Sequence, residues 1–470
     1  MTGKIWCTAC VFLKGSLYTL CLFPMLAFAQ GETKTVTLDE GTALAVVALR
    51  SGQPRLALQL TNALIEARPK DPALFYLKAT AHAGLQEHRQ GRKAAARSYR
   101  LSNDTREKFQ AAQLASRMAL GARQYTLSQV WLRRTAIHAP DDESERLIAR
   151  DYRVLRQLNP WAFRLRGELS PSDNVNGGAD TALQIIDGVP VVGQLSGGAQ
   201  ALSGLIASVD LAVSYRLRQT QDSRTTLGSR IYVQRVKLSS SSEDKAPDFD
   251  ESELDSTFAE LSFRHLFAVG KPERGGSASV GAAAGASYWG GERAYNFARI
   301  SGDRTWRLNN GVKLRFGGLG ETRFAERFGT NDANILGLGG YLTKPLKNGD
   351  TLSLDMALRD TKARWDNGTF YSASVRIAYG FGKPVGPVLI DTGLVLGYSH
   401  YPRFLSAGFI EVPGGRTDKS IYGDVSFFFH RYDYAGFAPV LRLRTGKRSS
   451  NDSRYDISET SLSLGIESTF

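Results

Sequence analysis

The run LIASVDLAVSYRL at residues 205–217 decides the fold of the larger part of this chain. Its odd-numbered positions are all apolar or aromatic, whereas Ser208, Asp210, Ser214 and Arg216 fall between them. Successive side chains on a β-strand point to opposite faces, so the run predicts a strand with one apolar and one polar face. It is also longer than the roughly five or six residues of an average soluble strand, and matches a transmembrane β-strand.

Similar alternating segments recur through residues 159–470, where we identify fourteen candidate strands. Short links such as 309–311 and 347–350 alternate with longer polar links such as 171–202 and 239–252, and aromatic residues lie near strand ends. A soluble antiparallel sandwich would also show alternation. Strand length, aromatic placement and alternating link length together favour an all-β transmembrane barrel of about 14 antiparallel strands. Such a barrel must close, because a membrane leaves no water to satisfy a free strand edge.

The final candidate strand carries Leu462, Leu464, Ile466 and Phe470 on one face. A last strand that ends in an aromatic residue resembles the signal that outer-membrane barrels present to their assembly machinery. We therefore expect Phe470 to act as an assembly signal.

The polar faces of the candidate strands are rich in arginine. If the apolar faces meet lipid, these arginines line the lumen, where charges pair with each other and tune selectivity. One interpretation is a solvated, salt-bridged lumen, and the other is a conduit whose wall contacts a passing acidic or polar substrate. The candidate lumen-lining residues are Arg164, Arg166, Arg216, Arg218, Arg315, Arg359, Arg376, Arg442 and Arg444.

Residues 30–158 differ sharply from this barrel, because they are rich in Ala, Leu, Arg and Gln with apolar residues at helical spacing. The pattern predicts seven helices, with Asp71, Asp104 and Asp141 as N-caps of three of them. The cap spacing is close to the roughly 34-residue period of tetratricopeptide (TPR) repeats. We expect an all-α, TPR-like domain in the periplasm, and an ordinary helical bundle remains the alternative. Stacked helix pairs usually present a groove for protein or peptide.

Residues 1–29 predict a signal peptide. Lys4 and Lys14 flank its start, an apolar run follows, and Ala27-Phe28-Ala29 forms a small-x-small cleavage signal. All three cysteines, Cys7, Cys10 and Cys21, lie in this leader, so the mature chain has no thiol for a disulfide, a thiolate metal site or cysteine catalysis.

The mature chain carries no recognisable catalytic or cofactor-binding motif. Its six histidines form no His-Glu-x-x-His signature, and Gly-x-Ser-x-Gly and phosphate-loop patterns are missing. We therefore expect no enzyme activity, no cofactor, no metal site and no catalytic residue. Lys and Arg are spread along the chain rather than clustered, so we expect no nucleic-acid partner either.

The arrangement as a whole resembles the surface lipoprotein assembly modulator (Slam) family. The resemblance is carried by the junction LNPWAF at 158–163, the following SPSDNVNG at 170–177, and a helical domain before a barrel of about fourteen strands. It implies an outer-membrane translocator that delivers surface lipoproteins or soluble exported proteins. The implied partners are that client, outer-membrane lipids and the barrel-assembly machinery. A polysaccharide exporter or a simple porin is the alternative.

Overall fold

This computed structural model describes residues 36–270, 275–325, 332–432, 434 and 437–468. The leader predicted at 1–29 and the assembly signal predicted at Phe470 therefore lie outside the described residues.

Seven helices fill the N-terminal part, as the sequence predicts. Three begin at the expected aspartates: the carboxylate of Asp71 accepts a hydrogen bond from Ala73 N–H (2.9 Å), that of Asp104 from Glu107 N–H (2.8 Å), and that of Asp141 from Ser144 N–H (2.7 Å). Each bond satisfies an amide that the first helical turn leaves without a partner. The helices are α1 (Leu38–Arg50), α2 (Pro54–Ala67), α3 (Pro72–Gly84), α4 (His88–Leu101), α5 (Thr105–Gly121), α6 (Tyr125–Ile137) and α7 (Asp142–Leu158).

Each of these helices packs against the next along the chain, and α1 also meets α3, as α3 meets α5. The contact surfaces are built largely from alanine, including the fully buried Ala57, Ala79, Ala95 and Ala115. Small side chains let neighbouring helix axes approach closely, which produces a stack of antiparallel helix pairs. Among the described residues, no helix is both long and apolar enough to cross a membrane.

The remainder of the described chain is dominated by a closed barrel of fourteen antiparallel strands, which confirms the predicted fold class. The strands are β1 (Trp161–Ser172), β2 (Gly204–Gln219), β3 (Ser223–Leu238), β4 (Ser256–Val269), β5 (Gly276–Trp289), β6 (Glu292–Arg307), β7 (Lys313–Phe324), β8 (Ala333–Pro345), β9 (Thr351–Ala363), β10 (Phe370–Gly380), β11 (Leu389–Tyr401), β12 (Arg416–Phe428), β13 (Phe437–Ser450) and β14 (Ile457–Ser468). Each strand pairs with its neighbours in chain order, and β14 returns to β1 to close the wall.

One face of each strand carries large apolar side chains that are exposed, among them Leu261 at 65% and Ile300 at 69%. In a water-soluble fold such positions would be covered, because contiguous exposed apolar surface is rare. Aromatic residues join this face near the strand ends, where the Trp161 and Tyr215 rings lie 4.7 Å apart and Tyr371 lies 6.4 Å from Tyr398. The outer surface thus has the apolar band and aromatic rims of a barrel that faces lipid.

The two ends of the barrel differ in their connections. At the end where α7 leads into β1, which we call the helix-side end, links are short, such as 220–222 and 346–350. At the opposite, far end, the chain runs through longer links at 173–203, 239–255 and 402–415. These contain a short helix, α8 (Ser240–Lys245), a hairpin of Leu183–Ile186 with Val189–Gln194, and a smaller hairpin of Leu405–Ser406 with Ile410–Glu411.

Candidate functional site: the inner wall of the barrel

The polar side chains of the strands meet one another across intervening strands. Glu260 on β4 bonds to Arg299 on β6 (2.9 Å), and Arg376 on β10 bonds to Asp424 on β12 (2.8 Å). Strand axes two positions apart are separated by roughly 9.5 Å, so side chains meet there only if they converge. Side chains converge on the concave face of a barrel wall and diverge on its convex face. We infer that this polar face is the interior of the barrel.

The densest interior cluster lies on β4, β6 and β7. Its centre is Glu321, whose side chain is only 6% exposed and accepts hydrogen bonds from Arg299 (2.7 Å) and Arg323 (2.8 Å). Arg299 also reaches Glu260, so one guanidinium joins two carboxylates. The three ion pairs bind three strands of the wall into one unit, since charge-assisted hydrogen bonds are the stronger kind.

A second cluster lies next to it along the same strands. Asp303 on β6 binds Arg264 (2.9 Å) and Arg315 (3.0 Å), and it also accepts a hydrogen bond from Ser279. Glycines at inward positions, including Gly281 and Gly317, leave space in front of these groups. A cavity of about 660 Å³ follows this wall from β4 to β9.

Three of the nine arginines predicted to line the lumen form ion pairs with other strands. Arg315 and Arg376 do so as described above. Arg442 on β13 reaches Glu168 on β1 (3.4 Å) and also binds Glu467 on β14. These three side chains therefore tie the wall together.

Four others, Arg164, Arg166, Arg359 and Arg444, form no ion pair among the described residues. Arg359 donates to the Thr361 hydroxyl (3.2 Å), and the Arg444 guanidinium lies 4.5 Å from the centroid of the Tyr422 ring. Arg164 and Arg166 lie beside Ala212 and Asp210 of β2 in register.

The last two predicted residues, Arg216 and Arg218, lie at the helix-side rim. For Arg218, the strand pairing contradicts the predicted lumen-facing position. The pairing of β2 with β3 shifts between Arg216 and Arg218, so that Leu217 is extra and Arg218 pairs with Thr225. Thr225 belongs to the same face as the exposed Leu227, the outer face. A β-bulge of this kind breaks strict alternation, so counting by twos past it assigns the wrong face.

Arg216 instead anchors the helical domain. Its Nη2 donates to the backbone carbonyls of Gln157 (2.7 Å), Leu158 (3.2 Å) and Asn159 (2.9 Å), at the end of α7. A cation at a helix C-terminus satisfies carbonyls that have no intrahelical partner and complements the helix dipole. A second contact joins α6 to the barrel, because the Arg133 guanidinium lies 4.4 Å from the centroid of the Phe437 ring at the start of β13.

At the far end, the links between strands pack on one another. Ile186, Phe404 and Val412 form a buried cluster that joins the link 173–203 to the link 402–415. Asp452, fully buried, accepts a hydrogen bond from Gln184 Nε2 (3.0 Å) and another from the Ser406 hydroxyl. Since β1 and β12 are three steps apart around the wall, the link 173–203 crosses part of the opening to make these contacts.

Arg416 packs among aromatic side chains at the same far end. Its guanidinium lies 3.9, 4.3 and 3.7 Å from the ring centroids of Tyr401, Phe404 and Tyr455, and it binds Asp418 at 3.1 Å. Cation–π contacts of this kind strengthen when the charge is desolvated, and Arg416 is 6% exposed.

Sequence reasoning missed Arg299, Asp303, Glu321 and Arg323, which form the core of the interior clusters. Their alternation with Ala298, Ile300 and Gly302, and with Gly320 and Thr322, was the available signal. Within the described ranges, no group of three or more His, Cys, Asp or Glu residues is placed to hold a metal ion.

No protein-family model matches this chain, and no curated protein matches it in sequence. Among solved structures, the TPR domain of Arabidopsis OM64 is 11% identical, with a TM-score of 0.23, and covers 25% of this chain and 94% of its own. OccAB4 of Acinetobacter baumannii is 11% identical, with a TM-score of 0.33, and covers 65% of this chain and 98% of its own.

An outer membrane channel from Pseudomonas putida F1 is 12% identical, with a TM-score of 0.32, and covers 64% of this chain and 93% of its own. Such distant similarities concern the overall shape of a helical domain and of a barrel, and no function follows from them.

Proposed function

We propose that this protein is an outer-membrane conduit that passes exported polypeptides, surface lipoproteins or soluble proteins, from a periplasmic helical domain to the cell surface. The observation that carries the proposal is the attachment of the helical stack to the mouth of the barrel, by Arg216 on one side and Phe437 on the other. A domain of stacked helix pairs offers a surface suited to polypeptides. A channel for small solutes has no need of such a domain at its entrance.

The predicted Slam resemblance agrees with this architecture, and the protein client remains part of the proposal. In the mechanism, the helices hold a segment of the client at the helix-side end. The ion-paired side chains around Glu321 and Asp303 keep the wall in shape. Arg359 and Arg444, which have no carboxylate partner among the described residues, contact acidic or polar groups of the client as it passes.

The far-end links would then be the exit. They are packed around Asp452 and Arg416, so passage requires them to move apart. In the resting state of the proposed conduit, these links therefore cover part of the opening at the cell surface.

The experiment compares surface proteolysis in cells that carry the gene, lack it, or express a variant without residues 36–158. We expect one or more surface proteins to be made in normal amounts but to lose protease accessibility both in the deletion strain and in the variant. Heat-modifiable migration of the shortened protein is the control that its barrel is assembled.

Unchanged surface proteins in both strains would contradict the proposal. Altered uptake of small solutes would then favour a porin, and loss of surface sugar would favour a polysaccharide exporter.

A further inference from the structure

Strand β9 carries two charged side chains that face the lumen without an oppositely charged partner. Met356 and Leu358 are exposed on the outer face of this strand, at 50% and 56%. Because successive residues alternate between faces, Asp355, Ala357 and Arg359 point inward. Asp355 is exposed and forms no hydrogen bond or ion pair among the described residues. Arg359 forms no ion pair there either, so the strand presents one anion and one cation to the lumen.

Asp355 is unpaired because the cation opposite it binds elsewhere. Arg376 on β10 lies directly across from Asp355 in the strand register. Both terminal nitrogens of Arg376 instead bind the Asp424 carboxylate on β12, one of them at 2.8 Å. A bidentate bond between a guanidinium and a carboxylate is among the stronger polar contacts, so it holds Arg376 away from β9. The Asp355 carboxylate is therefore available to a molecule in the lumen.

The Arg359 guanidinium is held in place without being neutralised. Its Nε donates to the Thr361 hydroxyl (3.2 Å), and its central carbon lies 5.9 Å from the centroid of the Phe370 ring. The Glu321 carboxylate of the neighbouring cluster is already bound by two other arginines. Within the described ranges, the two terminal nitrogens of Arg359 make no hydrogen bond. They can receive a carboxylate in the bidentate geometry that arginine favours.

A recess in the wall runs past both charged groups. On β8, Gly337 lies opposite Arg359, and Gly339 lies opposite Ala357. No side chain rises from these two glycines, and the cavity of about 660 Å³ along this wall has Asp355 and Arg359 in its lining. Ligand sites in proteins have volumes of roughly 300–1,000 Å³. The recess therefore has room for a short segment of chain between the carboxylate and the guanidinium.

The spacing of the two charges specifies that segment. Residues 355 and 359 are four positions apart on one strand, which separates their Cα atoms by about 13 Å. An extended polypeptide places the side chains of its residues i and i+4 on one face at the same separation. A basic side chain at one of these positions and an acidic one at the other match Asp355 and Arg359 together. Opposite charges on adjacent residues can reach only one of the two.

We propose that this recess binds an extended polypeptide segment with a basic and an acidic side chain four residues apart, the basic one on Asp355 and the acidic one on Arg359. The inference rests on the proposed function for the identity of the polypeptide as the exported client, and it names the sequence feature that the lumen recognises. Because Asp355 is exposed to the lumen, the contacts are individually weak, and a client can leave the site again.

The test uses the full mature protein in detergent micelles and the peptide Lys-Ala-Gly-Ala-Glu, with capped ends and a neutral fluorophore. The matched probe, Ala-Lys-Glu-Ala-Gly, has the same composition but adjacent charges. Two further probes carry lysine at both outer positions or glutamate at both. Binding is followed by fluorescence anisotropy at low ionic strength, where charges are screened least.

We expect Lys-Ala-Gly-Ala-Glu to bind at least fivefold more tightly than each of the other three peptides. Asp355→Lys should shift the preference to the peptide with two glutamates, because both ends of the recess are then cationic. Arg359→Gln should remove the discrimination between glutamate and lysine at the second outer position. Asp360→Asn, which changes a carboxylate on the outer face of the same strand, is the control and should change nothing.

Filling the recess tests its role without removing a charge. Gly339→Leu should weaken binding of Lys-Ala-Gly-Ala-Glu at least fivefold. A Cβ at Gly339 meets nothing closer than the Met356 backbone oxygen at 3.6 Å, so the wall can accept the side chain. Gly340→Leu, on the outer face of the same strand, is the matched control. Heat-modifiable migration shows that the barrel of each variant is assembled.

Equal binding of the spaced and adjacent peptides, an unchanged preference in Asp355→Lys, or unchanged binding in Gly339→Leu would overturn the proposal. Failure of every peptide to bind would also overturn it. These outcomes are independent of the surface proteolysis described above. Selective peptide binding without any surface client would refute protein export but leave a polypeptide site in the lumen. A surface client without selective peptide binding would leave export and remove the recess as its recognition site.

Discussion

The two ends of the barrel are held together by different kinds of interaction. The far end is held by a buried apolar cluster, by the hydrogen bonds of the buried Asp452 carboxylate, and by the Arg416 guanidinium among three aromatic rings. The helix-side end has short links and is joined to the helical stack by exposed or half-exposed contacts, as at Arg216. Interactions shielded from water are worth more than exposed ones. The comparison indicates that the far end is the stable cap and the helix-side end is the adaptable one.

Asp452→Ala tests the stability of the far end most directly, and we expect it to have the largest effect. The change leaves the Gln184 amide and the Ser406 hydroxyl buried without their acceptor, which costs about 3 kcal/mol. We expect denaturant unfolding in micelles to show that loss, and the link 173–203 to be cut by protease in the folded protein. Asp452→Asn, which retains one acceptor oxygen, is the control and should lose less. Equal stability of Asp452→Ala and the parent would contradict a stable far end.

The next largest effect is expected for Arg416→Met. The substitution keeps the length of the side chain but removes the charge between three aromatic rings and leaves Asp418 buried alone, a loss of about 2 kcal/mol. The same unfolding measurement detects it. Arg403→Met, which changes an exposed arginine in the same link, should have no measurable effect. A comparable loss in both variants would mean that general charge, rather than the aromatic cage, matters.

Arg216→Ala tests how the helical domain is held at the helix-side end of the barrel. It removes three hydrogen bonds to the end of α7, of which the exposed ones contribute little. We therefore expect the stability of the helical domain to fall by about 1 kcal/mol. Calorimetry should show the helical domain melting earlier, while the barrel transition stays in place. Arg218→Ala, two residues away on the outer face, is the matched control. A shift of both transitions together would show that the two parts are more tightly coupled than their contacts indicate.

The smallest effect belongs to Asp141→Ala, at the opposite end of α7. The Ser144 backbone N–H holds the pKa of the Asp141 carboxyl below its usual range. Because the folded pKa is lowered, the stabilisation is complete above the ordinary value of about 4 and is lost as the pH falls through the lowered pKa. We expect the helical transition of the variant to move down by a few degrees at pH 7, and the difference from the parent to shrink in acid. A constant difference across that range would argue against capping by the ionised carboxylate.

What the sequence predicted correctly is local. Alternation along residues 205–217 and aspartates before helical runs report on the nearest few residues, so the strands and the caps at Asp71, Asp104 and Asp141 follow directly. Features set by register between distant strands were not accessible in the same way. The bulge at Leu217 reversed the face of Arg218, and the clusters around Glu321 and Asp303 depend on which residues meet across strands. The closing contact of β14 with β1 likewise depends on the stagger of the two strands, to which no short pattern refers.

The junction of β14 with β1 has a consequence for how the barrel folds. Every other junction joins strands that follow each other in the chain, so each forms as a hairpin with a small loss of chain entropy. The pairing of Glu168 with Gly465 brings together residues about 300 positions apart, and the cost of closing so long a loop falls on this junction alone. Closure is therefore the slow, last step of assembly, as expected for contacts of high sequence separation. Opening of the barrel without loss of its hairpins would begin at this same junction.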